Sequence, residues 1–321
     1  MRLLITGGSG FIGSTAVKRY IQNDDVDLVV NIDSMTYAGN KENLLGIEAN
    51  EKYRFFKLQI GDERVKEIID EYDIDSVINF AAETHVDNSI NAIDPFIDTN
   101  IVQTEKLFRR IMSSKRGDEV ATIHISTDEV YGHLSLNDPP FNENDNLKPR
   151  NPYSATKAAS ELILSSYVNT YGMFGCITRC SNNYGPGQHT EKLIPKFTKL
   201  AAQGRALPIY GSGEQIRDWI HVRDHVDGIF KVLLEMKKGR VRAGEIYNFG
   251  GSNEQTNLDI AGKILSIVGN NSSHVKKIDD RPGHDFRYAI DYSKAKRDLE
   301  WSPTVEWEEG IKQTVHHYLK G

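Results

Sequence analysis

Short apolar runs recur along the first half of the chain and alternate with longer stretches whose apolar positions fall three or four apart. Arg2–Thr6, Leu28–Asp33, Tyr53–Leu58 and Ser76–Phe80 have the pattern of strands, and Phe11–Gln22 and Arg64–Tyr72 that of helices. Alternation of this kind predicts βαβ units: a Rossmann-type, doubly wound α/β fold with a parallel sheet and helices on both faces. Two long stretches, Pro95–Met112 and Ser154–Tyr171, also carry helical spacing. Asp224–Met236 predicts a helix returning to the first unit, and Gly244–Phe249 a further strand of it. Past Asn182 the pattern becomes less regular, with Gly-Pro turns and dispersed basic residues. We therefore expect a sheet domain over 1–181 and 219–250, and a smaller, discontinuous α/β domain over 182–218 and 251–321.

Between the first strand and first helix stands Thr6-Gly-Gly-Ser-Gly-Phe-Ile-Gly13. Gly7 permits a tight turn, Gly10 lets backbone approach a pyrophosphate, and Gly13 lets the helix pack on the sheet. The helix N-terminus, with its free N–H groups and dipole, then favours the anion. The next strand ends in Asp33, followed by Ser34-Met35 and no arginine. A carboxylate there accepts from an adenosine ribose diol and repels a 2′-phosphate, so NAD is expected rather than NADP. Ala81-Ala82, after the fourth strand, are small enough to let a cofactor pass.

Composition narrows the class. With 321 residues there is room for two packed units. Charges of both signs are interspersed and the net charge is −6, which argues against a surface built to bind nucleic acid. No apolar run approaches the length of a membrane span. The chain opens directly on its first strand pattern with no signal peptide ahead of it, and its two cysteines, Cys176 and Cys180, read as reduced thiols in an apolar run. A cytoplasmic setting is expected. His189, His221, His225, His274, His316 and His317 lack metal-ligand spacing, so no metal is expected.

Chemistry concentrates in two stretches. Tyr153 and Lys157 stand at i and i+4 of a helix, where an ammonium can lower the pKa of a phenol and make tyrosinate a usable base. Ser126-Thr-Asp-Glu-Val-Tyr-Gly132 places a hydroxyl and two acids side by side at a strand end. Two carboxyls in different surroundings can divide acid and base work.

With the glycine turn, Asp33, Ala81-Ala82 and Tyr153/Lys157 in this order, the chain resembles the extended short-chain dehydrogenase/reductases. It is most similar to the nucleotide-sugar 4,6-dehydratases, the dTDP-glucose branch in particular. The likeness continues through Thr36-Tyr-Ala-Gly-Asn40, Ala82-Glu-Thr-His-Val-Asp87, Arg179-Cys-Ser-Asn-Asn-Tyr-Gly-Pro186, Glu191-Lys-Leu-Ile-Pro195, Ile216-Arg-Asp-Trp219, Tyr247-Asn-Phe-Gly-Gly251 and Arg281-Pro-Gly-His-Asp285. Four positions depart from that pattern: Gln59, Asn88, Gly187 and Phe286.

The resemblance implies a redox-neutral cycle on a nucleoside-diphosphate sugar. Tyr153 with Lys157 oxidises C4 against NAD, Glu129 removes the C5 proton, Asp128 protonates the departing 6-hydroxyl, Thr127 bonds O4, and hydride returns to C6. It adds Phe11, Ile12, Gln59 and Ile60 to the cofactor contacts. As substrate contacts it implies Thr84, His85, Asn182, Lys192, Leu193, Pro208, Tyr210, Arg217, Asn257, Arg281 and His284. Lys192, Arg217 and Arg281 are the candidate diphosphate ligands, with Asp218-Trp219 placed to orient Arg217 and cover its stem. The two long helices imply a homodimer. Other readings remain at this point: UDP-glucose or UDP-N-acetylglucosamine as substrate, a UDP-sugar 4-epimerase, or a nucleotide sensor without catalysis.

Overall fold

The computed structural model describes residues 1–270, 272–280 and 283–320. The first half builds β1 (Arg2–Thr6), β2 (Leu28–Asp33), β3 (Tyr53–Lys57), β4 (Ser76–Asn79), β5 (Ala121–Thr127) and β6 (Gly175–Cys180). The chain then leaves this sheet for β7 (Asn182–Tyr184), β8 (Leu207–Tyr210) and β9 (Ile216–His221), and returns with β10 (Ile246–Phe249). Last come β11 (Glu254–Thr256), β12 (Val275–Ile278) and β13 (Arg287–Tyr288). The seven-stranded sheet has the order β10-β6-β5-β4-β1-β2-β3, and every pairing in it is parallel. This is the expected Rossmann-type sheet. Its order reverses between β1 and β4, the crevice where ligands of open α/β sheets bind.

Helices cover both faces, because strands buried on two sides alternate which layer they serve. Leu3 and Ile5 of β1 join one core with Val17 of α1 (Phe11–Tyr20) and Ile229 of a late helix. Leu4 joins the other with Ile68 of α2 (Arg64–Glu71), Leu107 and Leu164. Then follow α3 (Val86–Asn91), α4 (Asp94–Phe96), α5 (Thr104–Met112), α6 (Pro152–Tyr171), α7 (Leu193–Ala202), α8 (Val222–Lys237) and α9 (Asn257–Val268). A third core, around Tyr184, Phe197, Trp219 and Ile264, lies under the smaller sheets.

The stretch expected as one helix from Pro95 to Met112 is interrupted. A π-helical segment, Ile97–Gln103, separates α4 from α5. Asn100 inside it is buried; its amide donates to Thr156 Oγ1 (2.9 Å) and the Glu83 carbonyl, and its oxygen accepts from Glu83 N–H. A widened turn is a frequent device near functional sites. Here it points Asn100 at the loop after β4 and at α6 together.

Candidate active site

The glycine turn is shaped by what it excludes. A Cβ on Gly7, whose φ is +67°, would stand 2.7 Å from the Ala81 nitrogen, and one on Gly13 would stand 2.3 Å from the Gly7 carbonyl oxygen. Gly10 is the N-cap of α1 with no side-chain cap, so the first N–H groups of the helix are left for an anion. Asp33 is buried at the end of β2, accepting from Ser9 N–H (2.9 Å) and Met35 N–H (2.8 Å). Those bonds fix the carboxylate at the mouth of a cavity of about 480 Å³. Its walls include Gly7, Gly10, Asp33, Gln59, Ile60, Ala81 and Ala82. A turn with no room for side chains, an open helix N-terminus and a fixed carboxylate fit a dinucleotide.

At the end of β5 the chain enters a single 3₁₀ turn, Asp128–Tyr131. The Thr127 hydroxyl donates to Asp128 Oδ1 (3.2 Å) and accepts from Glu129 N–H (3.3 Å). Asp128 is buried, and its Oδ2 finds no partner among the described residues. Burial above all, then the Glu129 and Asp218 charges, push its carboxyl well above the usual range, against the Thr127 bond and Arg217. A carboxyl held in that way keeps its proton. Glu129 is only half-buried and its Oε2 accepts from the Asn151 amide (3.0 Å). The two neighbouring acids thus occupy unlike surroundings, as a division into acid and base requires.

Tyr153 and Lys157 sit at the buried start of α6, as the spacing predicts, but the electrostatics run differently. Burial first, and the facing Glu129 charge second, push Tyr153 well above its ordinary range. The Lys157 ammonium instead donates to the Ile125 carbonyl (2.7 Å). Burial lowers Lys157 to about 8, against the pull of Glu161. Burial and the Glu129 charge, not the Lys157 ammonium, are thus the largest influences on the phenol, and Lys157 is anchored on the β5 backbone.

His124 was not singled out by any motif, yet it supports this lysine. It is wholly buried in β5, and burial, with the Lys157 charge second, drives its pKa far down, so it is neutral. Asn79 Oδ1 accepts from the Thr6 hydroxyl (2.5 Å), which turns the Asn79 amide donor toward His124 Nδ1 (3.1 Å). His124 Nε2 lies 2.9 Å from Ser160 Oγ and 3.4 Å from the Lys157 ammonium. Ser160 in turn donates to the Lys157 carbonyl. A polar residue amid apolar neighbours of β5 was the only sequence signal.

The expected substrate residues fall at four places. Lys192 precedes α7 and donates to the Thr84 carbonyl (3.2 Å), while His85 Nε2 lies 3.9 Å from Glu191, so the loop after β4 meets the one before Leu193. Asn182 opens β7, one residue beyond the end of β6. Pro208 and Tyr210 lie in β8, with the Tyr210 ring edge-on to His284 at 6.2 Å, and Asn257 opens α9. Arg217 is buried, with its guanidinium 4.4 Å over the Tyr288 ring, and donates to the Ile216 and Asp285 carbonyls. Tyr288, not Trp219, therefore covers Arg217. Asp218 turns instead to Gly251 and Asn253 N–H, because those backbone donors satisfy its buried carboxylate. Arg281 lies outside the described residues.

A family model described as GDP-mannose 4,6-dehydratase matches residues 4–314. The chain belongs to that family. Within it, this member is 45% identical to the dTDP-glucose 4,6-dehydratase of Haemophilus influenzae, over 99% of its own length and 98% of that protein. The crystal structure of the dTDP-glucose 4,6-dehydratase of Streptomyces venezuelae, with NAD bound, is similar at 41% identity and a TM-score of 0.92, covering 100% of this chain and 97% of that one. The UDP-glucuronic acid 4-epimerase of Bacillus cereus, solved with UDP-glucuronic acid and NAD, shares 29% identity at a TM-score of 0.91, covering 100% and 99%. Fold alone therefore does not separate dehydration from epimerisation; the Thr127-Asp128-Glu129 turn has to.

Proposed function

We propose that this enzyme, a hydro-lyase, converts dTDP-glucose to its 4-keto-6-deoxy form by oxidation at C4, loss of water across C5–C6 and reduction at C6. The observation that carries the reading is the buried Asp128 carboxyl, its Oδ2 unpartnered among the described residues, beside the half-buried Glu129 and bonded by the Thr127 hydroxyl. A 4-epimerase needs neither acid.

The residues of the glycine turn (Gly7, Gly10, Phe11, Ile12, Gly13) with Asp33, Gln59, Ile60, Ala81, Ala82, Tyr153 and Lys157 would hold NAD. When bound, NAD supplies a reversible hydride acceptor and a positive nicotinamide charge. Tyr153 would take the proton of the sugar 4-hydroxyl, which Thr127 holds in place, once the positive nicotinamide charge has offset the burial and the Glu129 charge that raise its phenol. Lys157 presents its ammonium from the anchored floor of β5. Once C4 is a ketone, the C5 hydrogen is acidic, and Glu129 removes it. Asp128 delivers its retained proton to the 6-hydroxyl, which departs as water. Glu129 then returns a proton to C5. Lys192, Arg217 and Arg281 offer cations to the diphosphate. Thr84, His85, Asn182, Leu193, Pro208, Tyr210, Asn257 and His284 line the rest of the substrate site.

The NAD-binding unit comprises 1–181 and 219–250, and 182–218 with 251–321 hold the sugar nucleotide. A homodimer forms through the two long helical stretches, 95–112 and 154–171, whose exposed Ile97, Val102 and Leu162 are otherwise left in water. The setting is cytoplasmic; no helix among the described residues is long and apolar enough to cross a membrane.

Mass spectrometry of reactions with dTDP-glucose, UDP-glucose and UDP-N-acetylglucosamine tests the reading. A dTDP product lighter by one water is expected, formed fastest among the three. An isomer of unchanged mass would make the protein an epimerase, and faster loss of water from a UDP-sugar would overturn the nucleotide assignment.

A further inference from the structure

We infer that Asn151 is a positioning residue for the C5 proton transfer, joining the cap of α6 to the base. The inference rests on Glu129 being that base.

Asn151 is buried and precedes the helix that carries Tyr153 and Lys157. Its side-chain oxygen accepts from Ser154 N–H (2.8 Å), and Ser154 Oγ accepts in return from Asn151 N–H (3.3 Å), a reciprocal cap. A cap uses only the acceptor half of a carboxamide. The donor half points across the site, and Asn151 Nδ2 donates to Glu129 Oε2 at 3.0 Å. Serine and aspartate cap helices as well as asparagine does. Neither of them can cap through an oxygen and at once present an N–H to a carboxylate.

The groups facing Glu129 make that donor matter. Asp128 on its own turn, Tyr153 on α6 and Tyr288 on β13 all feel its charge. Asp128 and Tyr153 are acids whose ionised forms would repel it. The Asn151 amide is the one hydrogen bond to the Glu129 carboxylate among the described residues, and it ties that carboxylate to the same helix end as Tyr153. Asn151 thereby holds the proton-abstracting group to the helix end that carries the oxidising one.

A set of variants separates this role from capping. Asn151→Ser and Asn151→Asp keep the cap, and Asn151→Ala removes it. For each holoenzyme, melting temperature, KM for dTDP-glucose and the rate of C5 deuterium entry in deuterium oxide are measured. Asn151→Ser should melt like wild type and hold its KM, yet label C5 about tenfold to a hundredfold more slowly, as expected for loss of a hydrogen bond to a charged group. Asn151→Asp should be slower still and melt lower, since it sets a carboxylate against Glu129. Asn151→Ala should lose the stability of the cap. Wild-type labelling rates in both capping variants would overturn the inference. Glu129→Gln serves as reference: if it labels C5 at the wild-type rate, the assignment of Glu129 fails, whatever the Asn151 variants do.

Discussion

Arg179 and Glu161 form a bidentate ion pair in the core, with side chains only 3% and 2% exposed and Nη2 to Oε2 at 2.6 Å. The same guanidinium donates to the Tyr131 hydroxyl (2.6 Å) and lies 4.6 Å from that ring, and Tyr131 donates on to Asn248 Oδ1. Tyr131 ends the turn that begins with Asp128. The pair thus braces the turn from beneath, linking α6, β6 and β10.

Removing one partner of such a pair leaves a buried charge uncompensated. Glu161→Gln should lower unfolding free energy by about 3 kcal/mol, whereas replacing both Glu161 and Arg179 by methionine should recover much of that loss. Urea denaturation of the three proteins checks this. Equal destabilisation of the single and double variants would contradict it.

Gly13→Ala should weaken NAD binding by about tenfold or more, because its new methyl meets the Gly7 carbonyl and displaces the turn. Gly262→Ala, whose methyl would meet nothing within 4 Å in the interior of α9, should leave NAD content unchanged. Nucleotide released from each purified protein by denaturation, separated and weighed, gives the comparison. The same measurement on wild type should yield NAD and not NADP.

Burial holds His225 down at about 3 and His221 at about 4. Unfolded histidine titrates near 6.5, so between about pH 6.5 and 4 the unfolded chain binds protons that the native state refuses. These groups therefore make stability fall as pH drops through that window. Asp128 and Asp218, whose pKa values burial raises, act with the opposite sign. A difference between variants isolates the histidine: from pH 7 to 5, His225→Gln should lose less melting temperature than wild type. An identical loss would contradict a neutral His225.

Much of the fold could be read in the chain because the signals were local. Apolar runs of strand length placed five strands of the parallel sheet, and the glycine turn and Asp33 placed the cofactor cavity. The interruption at Ile97–Gln103 could not, since its cause is Asn100 reaching the Glu83 backbone and Thr156, contacts distant in sequence. Helical spacing alone cannot distinguish a π turn from an α turn. Within the site, the acids and the tyrosine–lysine pair were legible from their spacing. The direction of the Tyr153 shift was not, because it depends most on burial and on the Glu129 charge. Asn151 and His124 carried no motif, and their work follows from partners on other elements.

The central claim is that Glu129 exchanges the hydrogen at C5, which separates dehydration from epimerisation on one fold. Product formed from dTDP-glucose in deuterium oxide should carry deuterium at C5, located by mass spectrometry and proton NMR. Glu129→Gln should lower that labelling by about a hundredfold or more, the scale of a lost general base. Wild-type product that keeps its original C5 hydrogen would contradict the account.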